Sequence, residues 1–309
     1  MTNRALGKIA ALLLAATAFV APAATAHAQG SSTADGLPAG NQQSGSNAVD
    51  LIDSLGAPQQ FDAIVRIGNC SGSIIALPDS KDTDPALILT NGHCYNLKMR
   101  DGDVVTNMPV REKAYLFTGP NPRRVGTLPV NKALYATMTD SDIAIYRVGM
   151  SYRDIYRYYR TVPRVLSDVA PTVGDNLHVT SGYWKRTWDC TFDGIADKVQ
   201  ESGWTWEGVT RMVGPSCKTQ PGSSGSPVLN DAGKIVAVNN AGNFDGAACR
   251  NNNACENNDG NITVIPGARY ATRTDQVPGC FSGSEVNMAK PECTLPGGAA
   301  YSGHALQLN

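Results

Sequence analysis

From Leu51 onward, short apolar or alternating runs recur between clusters of Gly, Pro, Asn and Asp. They fall at Phe61 to Ile67, Ser73 to Leu77, Ala86 to Thr90, Ala114 to Phe117, Asp142 to Val148, Asn176 to Thr180 and Lys234 to Val238. Many short strands at turn-rich spacing predict an all-β sandwich or barrel. The clearest hairpin is Val228-Leu229, the turn Asn230-Asp231-Ala232-Gly233, then Lys234 to Val238. One segment breaks the pattern. In "SYRDIYRYYR", 151–160, Tyr152, Ile155, Tyr156 and Tyr159 recur at helical spacing, which predicts a short connector helix packing its tyrosines between two halves of the protein. About 230 ordered residues suit two packed β units.

Both ends of the chain read differently. Arg4 and Lys8 flank the start of an apolar run from Ile9 to Val20, and Ala26-His27-Ala28 supplies the small residues of a cleavage site. Residues 1–28 are therefore expected to be a secretory signal, and the mature protein to be exported, free of membrane and monomeric. Residues 29–50 are rich in Ser, Gly, Ala, Asn and Gln and predict a flexible linker or pro-segment. The expected division continues as 51–150 for the first β unit, 151–164 for the connector, 165–282 for the second unit and 283–309 for a Gly/Ser/Ala-rich tail.

Charge and cysteine narrow the class. The formal net charge is −1, and losing Arg4 and Lys8 with the leader takes it to −3, so nothing electrostatic favours a nucleic-acid partner. All eight cysteines lie beyond the leader, and an even number in an oxidising compartment predicts four disulfides. The histidines are His27, His93, His178 and His304, too few outside the leader for a zinc cluster; neither metal nor cofactor is expected.

The stretch "CKTQPGSSGSPVLN", 217–230, holds Ser223, Ser224 and Ser226 on a tight loop entering the hairpin. A serine hydroxyl is a poor nucleophile until a base takes its proton and an acid orients that base. His93 in "ILTNGHCYN" stands where a side chain leaves a strand end. His178 lies within the alternating "NLHVT", and His304 lies in the tail. For the acid, Asp142 opens the apolar strand of "TDSDIAIYRV", with Asp140 the alternative further into the turn. A bridge from Cys70 to Cys94 would staple the loop carrying His93 to a neighbouring strand.

"TNGHC", "DIAIY" and "GSSGSP", in that order, resemble the motifs of chymotrypsin-like serine proteases, and the chain is most similar to the secreted bacterial trypsin-like peptidases, including the staphylococcal glutamyl-endopeptidase type. The resemblance spans about Phe61 to Cys280. It implies two six-stranded antiparallel Greek-key β-barrels with a cleft between them, acting on protein or peptide substrates. It assigns His93 as general base, Asp142 as the residue that orients it, Ser224 as nucleophile, and the Gly222 and Ser224 amides as the oxyanion hole. With the Cys70–Cys94 pair placed by these motifs, nearest-neighbour pairing gives Cys190–Cys217, Cys249–Cys255 and Cys280–Cys293; Cys217–Cys249 is the competitor.

Departures from the pattern matter as well. Ser223 stands where trypsin-type chains carry the aspartate that pairs with a new N-terminus. Lys218 stands where trypsin carries its selecting aspartate, and Asn239 where the glutamyl-endopeptidase pattern carries a histidine. Lys218, Thr219 and Asn239 are the expected substrate-binding positions, with neither strict Glu nor strict Lys/Arg preference. Two other readings are weaker. An α/β-hydrolase needs a glycine where Ser226 stands and a later histidine, for which only His304 is available. A silent protease-fold binding protein or toxin would show a lost triad member or a blocked oxyanion glycine, and neither loss is present.

Overall fold

The computed structural model describes residues 45–55, 58–95 and 98–302. The expected secretory signal, most of the expected linker and His304 lie outside the described residues. The part of the linker that is described is packed. Ala48 is fully buried, its N–H donates to the Ser80 carbonyl, and helix α1 (Asp50–Leu55) follows directly.

Six strands close the first barrel: β1 (Ile64–Ile67), β2 (Cys70–Ala76), β3 (Pro85–Thr90), β4 (Val104–Thr118), β5 (Arg123–Thr137) and β6 (Ile143–Ser151). Their order is β1-β4-β5-β6-β3-β2, and β1 pairs back onto β2 through Ile64 opposite Ser73. Every pairing in this ring is antiparallel. Strands β4 and β5 are much longer than the apolar runs within them, because their outer halves are exposed and polar.

Helix α2 (Tyr152–Tyr159) starts where the Ser151 hydroxyl accepts the Asp154 N–H and ends at Arg160 in the left-handed region, φ 54°. Its packing corrects the expectation of tyrosines set between two halves. Tyr152 and Ile155 join the first barrel's core, the Tyr152 hydroxyl donates to the Ile75 carbonyl at 2.6 Å, and Tyr158 is exposed. Tyr159 lies over Gly126, where any Cβ would meet its ring. The helix thus presents one apolar edge to one barrel.

Strand β7 (Arg164–Val165) adds to β2 in parallel and leads to the second ring. This contains β8 (Asn176–Ser181), β9 (Arg186–Glu201), β10 (Trp204–Val213), β11 (Pro227–Leu229) and β12 (Ile235–Gly242). A hairpin of β13 (Cys255–Asn258) and β14 (Asn261–Thr263) and the final ring strand β15 (Arg269–Arg273) follow. The order β10-β15-β12-β11-β8-β9 closes where β9 pairs with β10, and the β13–β14 hairpin hangs on β9. The fold is all-β with two closed six-stranded rings, the chymotrypsin-like architecture.

The last segment, expected as a tail partly held by cysteine, is packed as far as it is described. Strands β16 (Phe281–Ser282) and β17 (Glu285–Val286) form a small hairpin, and Cys280, Phe281, Cys293 and Leu295 are buried. They pack between Ile75, Leu87 and Ile145 of the first barrel and Leu229, Ile235 and Val238 of the second. A composition dominated by small residues hides a few well-placed apolar side chains. Four disulfides join Cys70 to Cys94, Cys190 to Cys217, Cys249 to Cys255 and Cys280 to Cys293. Among the described residues no helix is long and apolar enough to cross a membrane.

Candidate active site

Strand β3 ends at Thr90, and the chain turns through Asn91 into a single 3₁₀ turn, Gly92–Cys94, that carries His93. Only glycine fits at 92, because a Cβ there would lie 1.8 Å from the Thr137 carbonyl oxygen and 3.1 Å from the Asp142 carboxylate. The Cys70–Cys94 bridge ties this turn to β2. It also brings Cys70, His93 and Cys94 within 4.8 Å of one another, but both sulfurs are committed to the disulfide.

Asp142, at the foot of β6, is fully buried and doubly tied to the turn. One carboxylate oxygen accepts the His93 backbone N–H at 2.9 Å and the other faces His93 Nδ1 at 2.6 Å. About 33% of the His93 side chain remains exposed, so its far edge opens to the cleft. Burial lowers the His93 pKa, but the charge and hydrogen bond of Asp142, with a smaller contribution from Glu201, outweigh it and leave the pKa raised. Asp140, the alternative acid, sits at φ 51° and accepts from the Tyr301 hydroxyl. His178 bridges Asp189 and Asp231 on β8, outside the pocket lining.

The serine loop is fixed from every side. Gly222 has φ 95°, and a Cβ there would stand 2.8 Å from the Tyr183 ring; Gly225 has φ 79°, and a Cβ there would stand 2.1 Å from the Thr90 hydroxyl and 2.2 Å from the Ser71 carbonyl oxygen. The Trp184 indole donates to the Pro221 carbonyl, and Ser71 N–H donates to the Ser224 carbonyl. Ser223 is buried, its hydroxyl donating to the Gln220 carbonyl at 2.7 Å and accepting from Asn239 Nδ2 at 3.1 Å. Ser226 is buried too, and among the described residues its hydroxyl has no partner. Ser224 is half-buried and shares a pocket of about 370 Å³ with His93. Among the described residues the Gly222 and Ser224 amides have no acceptor.

Of the expected substrate-binding residues, Thr219 and Asn239 line this pocket, while Lys218 is exposed and outside it. Asn239 spends its amide nitrogen on Ser223 and leaves its buried Oδ1 without a donor. Several residues escaped the sequence reading. Asn91, fully buried, donates through Nδ2 to the Asp142 carbonyl at 2.8 Å and accepts the Gly225 N–H at 2.6 Å, linking acid to serine loop. It lies inside the quoted "TNGHC", so the signal was present. Glu201, Trp204, Trp206 and Phe244 also line the pocket, and nothing in their local sequence marks them.

The trypsin-like peptidase domain, as a family model, matches residues 70–238, more than half of the chain. The chain belongs to the trypsin-like peptidase family. This peptidase is accordingly a serine endopeptidase, and the matched span contains His93, Asp142 and Ser224. No curated protein matches the peptidase. Similar solved structures include the active form of the Rv3671c protease from M. tuberculosis, 13% identical, TM-score 0.46, covering 82% of this chain and 96% of that one. The MamO protease domain from Magnetospirillum magneticum is 11% identical, TM-score 0.43, covering 70% and 93%. The Cellulomonas bogoriensis chymotrypsin is 17% identical, TM-score 0.37, covering 70% and 91%.

Proposed function

We propose that the protein is an exported endopeptidase that hydrolyses peptide bonds through an acyl-enzyme on Ser224. The carrying observation is the buried Asp142 carboxylate 2.6 Å from His93 Nδ1, with the open edge of His93 and Ser224 in one pocket. Asp142 keeps the proton on Nδ1, so Nε2 presents a lone pair to the cleft. The Ser224 oxygen attacks the scissile carbonyl carbon while its proton passes to His93 Nε2. The carbon–nitrogen bond then breaks, the amine leaves with that proton, and water repeats the sequence to release the acid. The imidazolium formed midway is stabilised by Asp142. The Gly222 and Ser224 amides, lacking internal acceptors, suit the developing oxyanion, each worth about 3 kcal/mol of barrier.

On this reading 51–150 supplies base and acid, 165–282 supplies the nucleophile, and the leader delivers the chain to a compartment where four disulfides persist. The substrate is a protein or peptide, and the enzyme works as a monomer. Activation needs no new N-terminus. Ser223 cannot pair with a buried ammonium, and its hydrogen bonds to Gln220 and Asn239 hold the loop locally instead. Ser224→Ala tests the proposal: peptidase activity disappears while the protein folds normally, and retained activity refutes it.

A further inference from the structure

The β9–β10 hairpin ends in Glu201-Ser202-Gly203-Trp204, a turn with φ 51° at Ser202 and 90° at Gly203 that sets Glu201 at the rim of the cleft. The hairpin is docked on the segment that carries the acid. Trp206 forms a bridge with Asp140, Glu207 N–H donates to the Asp140 carbonyl at 3.0 Å, and Met138 packs in one cluster with Trp206. The serine loop, with Thr219 and Gln220, and the end of β12 line the same pocket, so Glu201, His93 and Ser224 share it.

Among the described residues Glu201 is the only acidic one in that lining, and no Lys or Arg lines it. Oε1 accepts the Asn252 N–H at 2.7 Å, in a loop closed by the Cys249–Cys255 disulfide and by Ser202 N–H to the Cys249 carbonyl. One carboxylate oxygen is thus pinned to a braced loop, and the carboxylate as a whole faces the pocket. Burial raises the Glu201 pKa against the opposing pull of the Asn252 N–H and His93, and among the described residues no Lys or Arg forms an ion pair with it. A half-buried carboxylate without its own counter-ion is a cost that a bound cation would relieve. Trp204 and Trp206 line the same pocket, and aromatic rings attract a neighbouring cation. Arg269, buried behind Gly242, donates to the carbonyls of Thr219, Asn243, Gly267 and Ala268, and among the described residues it forms no ion pair with Glu201.

We propose that Glu201 anchors an accessory subsite that binds a lysine or arginine side chain of the substrate flanking the scissile bond. This rests on the endopeptidase reading, and its test is kept separate from turnover. Alanine-based fluorescent hexapeptides carrying one Lys, or the uncharged isostere norleucine, at each position in turn are titrated against Ser224→Ala and against Ser224→Ala with Glu201→Gln. Gln keeps an oxygen for Asn252, so the loop stays closed. At one position Lys binds about tenfold more tightly than norleucine, the yield of one partly desolvated charge pair. That ratio falls to about one with Glu201→Gln, and Glu201→Lys shifts the preference to a glutamate at the same position. A series without Lys preference, or a preference that survives Glu201→Gln, overturns the proposal. Failure of the wild-type enzyme to cleave any peptide would instead count against the endopeptidase reading.

Discussion

Replacing Asp142 by Asn changes one atom and should disable the base. In the wild type one carboxylate oxygen accepts the His93 backbone N–H at 2.9 Å and the other faces Nδ1 at 2.6 Å. A carboxamide has a single oxygen. If that oxygen keeps the backbone bond, the NH₂ group points at Nδ1, which must then be the acceptor, and the ring proton moves to Nε2. Nε2–H faces Ser224 as a donor and cannot take its proton. If the amide flips, its NH₂ opposes the His93 N–H, a buried donor pair costing about 1–3 kcal/mol. Losing the charge also removes the main force that raises the His93 pKa, leaving burial to lower it. The wrong-tautomer state is therefore preferred, and the expected fall in kcat is about 10⁴-fold, or ~5 kcal/mol of barrier. Asp142 is fully buried and touches no substrate, so KM should change little. Steady-state hydrolysis of an internally quenched peptide, with near-ultraviolet circular dichroism to verify the fold, reads both. A folded Asp142→Asn enzyme within tenfold of wild-type kcat would refute the reasoning.

The three loop serines should separate: Ser224→Ala abolishes peptide cleavage, Ser223→Ala costs several-fold because the Gln220 and Asn239 contacts go, and Ser226→Ala, whose hydroxyl has no partner, costs little. Equal losses in all three, by initial rates on one peptide, would remove Ser224 from its role. Since His93 must be neutral to act and its pKa is raised, kcat/KM should climb with pH through a midpoint above 6.5; a flat profile from pH 5 to 9 contradicts a histidine base. The stability linkage runs the other way. A pKa raised by folding stabilises the protein fully below about 6.5, and that increment fades as pH rises through the folded value, so the His93→Ala variant should show a smaller stability loss between pH 5.5 and 8.5 in urea melts. Arg164, 1% exposed with its pKa lowered by burial to about 10, donates to the carbonyls of Gln59, Gln60, Asp62 and Gly233. Arg164→Met should lower the unfolding free energy by about 3–5 kcal/mol, and a loss below about 1 would show those carbonyls satisfied otherwise.

Much of the architecture was legible because it rests on local rules. The strand–turn–strand reading of Val228 to Val238 corresponds to β11 and β12, with Asn230 closing the turn onto Lys234 N–H. His93 stood out at the end of a strand and just after Gly92, and Ser224 between Gly222 and Gly225, and those glycines do face contacts that exclude a Cβ. What was hidden depends on distant partners. Asn91 works through bonds to residues 51 and 134 positions away, which no local pattern encodes. Glu201 closes an ordinary polar hairpin, and only the folded second ring brings it into one pocket with the serine loop. Strands β9 and β10 mix exposed and buried positions and lack an apolar run. The segment after Cys280 looked like a tail because it is rich in Gly, Ser and Ala. Cys293 and Leu295 reach the inter-barrel core through a disulfide that fixes where the chain returns.

The central claim is that Ser224 is a nucleophile armed by His93 without N-terminal processing beyond the leader, and covalent labelling reads it most directly. A form beginning at Gln29, its N-terminus verified uncut by mass spectrometry, is treated with a fluorophosphonate and digested. The account predicts one phosphonyl group per chain on the peptide containing Ser224, none in Ser224→Ala, and a rate that collapses in His93→Ala. A phosphonyl group on Ser223 or Ser226, or none until residues 29–50 are removed, would contradict it.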